Sequence, residues 1–77
     1  MQATNAVKKL NKSGFTVTQS GNRYSAQAGR NVIEFHQQDG EIICIRVRSA
    51  NDHDDVMSDY SAGTWCDNLS QAIRLAF

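Results

Sequence analysis

The chain has 77 residues, 40% of them apolar, and its eight Lys and Arg balance eight Asp and Glu. That is enough for one small, thinly cored domain over residues 1–77, and zero net charge excludes both a general polycation that coats nucleic acid and an all-acidic DNA mimic. No apolar run approaches the roughly 20 residues of a membrane span, and no apolar stretch follows the first lysines as in a secretory leader, so a cytoplasmic protein is expected.

The first element reads as a helix. Ala3, Ala6, Val7 and Leu10 recur at i, i+3, i+4 and i+7 as one apolar stripe. Lys8, Lys9 and Lys12 fall off the stripe and late in the helix, where cations suit the negative end of the dipole. Ser13-Gly14 supplies the stop. A helix of about ten residues is too short to stand alone and needs a sheet to pack on.

Residues 15–48 break into four short segments separated by glycine-bearing turns. Residues opposed across a hairpin share a face, so the apolar pattern selects each turn. A Ser20-Gly21 turn opposes Val17 to Tyr24 and Phe15 to Ala26. A Gly29-Arg30 turn opposes Ala26 to Ile33 and Tyr24 to Phe35. For the third hairpin a two-residue Asp39-Gly40 turn breaks the pattern, whereas a three-residue loop 38–40 opposes Phe35 to Ile43 and Ile33 to Ile45. One face then collects Phe15, Val17, Tyr24, Ala26, Ala28, Ile33, Phe35, Ile43, Ile45 and Val47. The other carries Thr16, Thr18, Arg23, Ser25, Gln27, Val32, Glu34, His36, Ile42, Cys44, Arg46 and Arg48. One apolar and one mostly polar face is the mark of an antiparallel sheet covered on one side.

A long connection, residues 49–63, leads to a second helix, with Leu69, Ala72, Ile73 and Ala76 at helical spacing and Thr64/Asp67 resembling a capping box. The expected fold is α+β: a four-stranded antiparallel meander with two helices on one face, in the order α-β-β-β-β-α. In that meander the first strand is an edge guarded by Thr16 and Thr18. The fourth, with Ile42-Ile43-Cys44-Ile45 apolar on both faces, is an unguarded edge. Strand 41–48 is therefore expected to pair with a second chain as a homodimer, with cover by the connection as the alternative.

Zero net charge conceals an asymmetry. Residues 1–30 carry five bases and no acid, whereas residues 31–77 carry three Arg and all eight acids. Asp52, Asp54, Asp55 and Asp59 lie within eight residues, either neutralising the basic half across the fold or presenting an acidic patch to a basic partner. They do not form a calcium loop, because the sixth and twelfth positions counted from Asp52 hold Met57 and Gly63 instead of Gly and Glu. His36, Cys44, His53 and Cys66 lack zinc-ligand spacing. The two cysteines form no C-x-x-C pair and are expected to stay reduced and apart. Cys44 and His36 share a face without being directly opposed, and all five glycines serve turns or caps, leaving no phosphate loop. No metal, cofactor or enzymatic reaction is expected.

The stretch Asp54-Asp55-Val56-Met57-Ser58-Asp59-Tyr60-Ser61-Ala62-Gly63-Thr64-Trp65, followed by Leu69 and Ala72, resembles the C-terminal motif of small phage and mobile-element proteins. It is also similar to one of the large polyvalent protein-associated domains. Asp59, Tyr60 and Gly63 match the motif, which brings no catalytic residue with it. The resemblance implies a role in protecting invading DNA or disarming host defence inside a bacterial cell. The expected function is non-enzymatic binding of a host defence protein, in the manner of an anti-CRISPR inhibitor. The expected contacts are Asp52, Asp54, Asp55 and Asp59 in the connection, and Ile42, Arg46 and Arg48 on the open sheet. Nucleic-acid binding by that open face ranks second, because Arg23, Arg46 and Arg48 lie there without an aromatic side chain for base stacking.

Overall fold

The computed structural model describes residues 1–49 and 64–76. Helix α1 spans Ala3–Lys12 and buries Ala3, Ala6 and Leu10, with Val7 partly buried beside them. Its start has no side-chain cap. The Ala3 amide donates instead to the Gly40 carbonyl at 2.7 Å, so the tip of a hairpin distant in sequence satisfies one of the orphan donors of the first turn. At the other end Gly14 takes φ +95°, and the reversed chain returns the Phe15 amide to the Leu10 carbonyl at 2.9 Å.

Strands β1 (Thr16–Ser20), β2 (Arg23–Ala28), β3 (Asn31–Gln38), β4 (Glu41–Ser49) and β5 (Thr64–Cys66) precede helix α2 (Leu69–Ala76). They form one antiparallel sheet in the order β1-β2-β3-β4-β5, so the fold is α+β, with five strands among the described residues and not the four expected. The added strand pairs Ile45 with Cys66, Arg46 with Trp65 and Val47 with Thr64. It falls where the sequence suggested the approach to the second helix, and three residues are too few for a period-two pattern to register. The first half of β4 is covered as well. Its Ile42 amide donates to the Met1 carbonyl at 3.0 Å, and Gln2 forms an antiparallel bridge with Glu41. Strand 41–48 is therefore not the open edge through which a homodimer was expected; the chain itself occupies that edge.

The second hairpin has the expected register, opposing Ala26 to Ile33 and Tyr24 to Phe35, whose rings stack at 5.0 Å. In the first, the turn is Gly21-Asn22 and Val17 opposes Ala26, a slide of two residues that preserves which side chains face the core. The third departs from expectation. Asp39 and Gly40 form a two-residue turn with φ of 53° and 84°, the mirror-image geometry that suits the twist of a hairpin. The resulting mismatch is absorbed by a β-bulge: His36 opposes Ile43, Glu34 opposes Arg46, and Cys44 between them takes φ +55°. The bulge exchanges two side chains between faces. Ile42 packs against the core instead of joining the open face, and Ile43 is 37% exposed instead of buried.

Leu10, Ile33, Phe35 and Leu69 are the largest fully buried side chains, enclosed between the sheet and the two helices. The start of α2 is capped at Asn68 and not at Thr64: Asn68 Oδ1 accepts the Gln71 amide at 2.8 Å, and Gln71 Oε1 accepts the Asp67 amide at 2.9 Å. Asn31 Nδ2 donates to the Ala76 carbonyl at 2.8 Å and ties the end of α2 to β3. Among the described residues no helix is long and apolar enough to cross a membrane.

Candidate functional site: the open face of the sheet

With both helices on one face, the other face of the sheet carries the side chains that alternate away from the core. A groove of about 640 Å³ runs across it, lined among others by Thr18, Arg23, His36, Cys44, Arg46 and Trp65. Trp65 is 56% exposed, and the Arg46 guanidinium carbon lies 5.8 Å from the centre of its ring. That is cation–π distance, and the contact follows from the register that places these residues opposite each other on β4 and β5.

Glu34 forms the ionic centre of this face. Its Oε1 accepts from Arg46 Nη2 and, at 2.9 Å, from Arg48 Nε, while its Oε2 accepts from Arg48 Nη2 at 3.2 Å. Burial pushes the Glu34 carboxyl up, but the hydrogen bonds and charges of Arg48 and Arg46 outweigh burial and hold it below its ordinary value. Two guanidiniums on one carboxylate make a charged floor, of which Glu34 and Arg46 line the groove beside the tryptophan while both arginine side chains are only 11% exposed.

The expected site residues separate. Arg46 and Arg48 lie together on the open face, bound to Glu34. Ile42 has left that face for a small cleft of about 160 Å³ shared with Met1, Ile45 and Leu69. Asp52, Asp54, Asp55 and Asp59, like His53, lie outside the described residues. Cys44 is exposed in the groove, whereas Cys66 packs against the core side of the sheet, and both are free thiols. Burial, followed by the charge of Asp67, raises the Cys66 thiol above its ordinary value. His36 opposes Ile43, one residue from the partner expected. Among the described residues no three of His, Cys, Asp and Glu gather as a metal cage.

Sequence reasoning missed Trp65, which supplies the aromatic group the open face was expected to lack. The available signal was Thr64-Trp65-Cys66, a single alternation that sends the tryptophan away from its two neighbours. Comparison with protein-family models, curated proteins and solved structures returns no match.

Proposed function

We propose that the chain is a non-enzymatic binding protein whose working surface is the open face of the sheet. Its partner is a host defence protein met in the bacterial cytoplasm, and its source is a phage or mobile element. The observation that carries the reading is Trp65, half-exposed against Arg46 beside a groove on a rigid sheet. Tryptophan and arginine are the residues that most often dominate protein interfaces, and a side chain already held in place loses little freedom on binding. The resemblance of 54–65 to phage and mobile-element proteins supplies the kind of target, in the manner of an anti-CRISPR inhibitor. The acidic residues Asp52, Asp54, Asp55 and Asp59 would add attraction for a basic partner.

The test is a defence assay in bacteria expressing the chain. Wild-type protein should relieve interference against an invading plasmid or phage, and Trp65→Ala should lose that relief while keeping its thermal stability. Equal activity of wild type and Trp65→Ala removes the open face from the reading.

Nucleic-acid binding is the second reading, and one observation favours it. The described residues hold all eight Lys and Arg but only four acids, and an aromatic side chain stands on their open face. Tight binding of single-stranded or duplex nucleic acid that weakens steeply with salt would select it over the protein target.

A further inference from the structure

The two edges of the sheet are treated unequally. At one end β5 extends the sheet, and Met1 and Gln2 cover the start of β4. At the other end β1 pairs only with β2, and among the described residues nothing pairs with its outer side. The Gly21-Asn22 turn leaves Ser20 and Arg23 as its flanking pair, which in a two-residue hairpin exchanges both backbone hydrogen bonds. Alternation then directs the backbone groups of Thr16, Thr18 and Ser20 toward β2. Those of Val17 and Gln19 point outward, two N–H and two C=O groups without a strand to receive them.

In its own sequence and pairing β1 carries none of the usual protections of an edge. Thr-Val-Thr-Gln-Ser contains no charge and no proline, and no bulge interrupts its pairing with β2. The threonines expected to guard it make its open face polar but leave its hydrogen-bonding side untouched.

We propose that β1 pairs antiparallel with β1 of a second copy, making one continuous sheet across a two-fold axis at Thr18. That axis sets Val17 against Gln19 of the partner subunit and Gln19 against Val17 of the partner subunit, so all four outward groups on each chain find partners. Thr18 meets its own copy as the close, non-hydrogen-bonded pair, where two threonines are compatible and two like charges are not. A second copy fits this edge better than a charged segment, because the strand is self-complementary about Thr18 and offers no charge to a foreign one. The inference rests on edge geometry and is independent of the open-face reading.

Sedimentation and light scattering at about 100 µM, a concentration at which weak dimers remain assembled, read the result directly. Wild type should have twice the 8.6 kDa chain mass. Thr18→Lys alone and Thr18→Glu alone should each be monomers, and mixing the two should restore the doubled mass. Gln19→Pro, which removes an outward N–H without touching the β1–β2 ladder, should also be monomeric. Monomeric wild type, or dimers that persist in both Thr18 variants separately, overturns the proposal.

Discussion

Replacing Cys44 with glycine and, separately, with valine sets two physical rules against each other. Cys44 lies in the middle of a nine-residue strand, where β-propensity favours valine over glycine by up to about 1 kcal/mol. Its φ of +55° reverses that preference. An L-residue in the left-handed region carries roughly 1–2 kcal/mol of backbone strain, a β-branched side chain carries the most, and glycine carries none. Because Cys44 is exposed, neither change alters the core. Glycine returns part of its gain, about 0.4–1 kcal/mol, through the greater entropy of its unfolded chain. The net expectation is that Cys44→Gly is about 0.5 kcal/mol more stable than wild type, and Cys44→Val at least about 1 kcal/mol less stable than Cys44→Gly. For a domain of this length that separates their melting temperatures by roughly 4–8 °C or more. Thermal denaturation by circular dichroism, with urea titration as a check, measures both. A valine variant more stable than the glycine variant would falsify the bulge and return β4 to regular alternation.

Further outcomes follow from the charged floor, the cap and the thiols. Glu34 has a lowered pKa in the folded chain, so its contribution is fully present above its unfolded value near 4.5 and is lost as pH falls through the lower folded value. Glu34→Gln should flatten the acid limb of a stability-versus-pH curve in that window; an unchanged limb would show that the Arg46–Glu34–Arg48 cluster contributes nothing there. Asn68→Ala removes the side chain that accepts the Gln71 amide and should cost about 1 kcal/mol in urea denaturation, whereas Thr64→Ala should leave the helix start intact. At neutral pH iodoacetamide should label exposed Cys44 well before Cys66, whose raised pKa and partial burial both limit its thiolate, as read by peptide mass spectrometry. Equal labelling rates in native protein contradict the placement of Cys66 on the core side.

Much of the architecture was legible because it depends on periodicity. The stripe from Ala3 to Leu10 and the opposition of Tyr24 to Phe35 each follow from apolar residues at the spacing their element requires. The first hairpin shows the limit of that signal. Turns at Ser20-Gly21 and Gly21-Asn22 differ by two in register and expose the same faces, so hydrophobicity cannot separate them. The third failed for a different reason. Strict alternation favours a three-residue loop there, but Asp-Gly is a strong two-residue turn, and the chain corrects the parity four residues later at Cys44. That correction moved Ile42 off the expected site and left Arg46 and Arg48 on it. Trp65 was hidden because its strand is only three residues long and precedes a helix with which its apolar character could be grouped.

Trp65 is the only tryptophan in the sequence, and it stands on the outermost strand with more than half its surface in solvent. Most small domains enclose their indole in the core, where its emission reports global unfolding. Here the chromophore lies outside the core, next to a guanidinium that detaches if β5 separates from β4. Its fluorescence is thus a local optical gauge of the last strand, and the far-ultraviolet dichroism of the sheet and helices is the gauge of the whole. Where the two signals part on heating, the chain is losing its last strand before its core; where they coincide, β5 belongs to the same cooperative unit as Phe35 and Leu69.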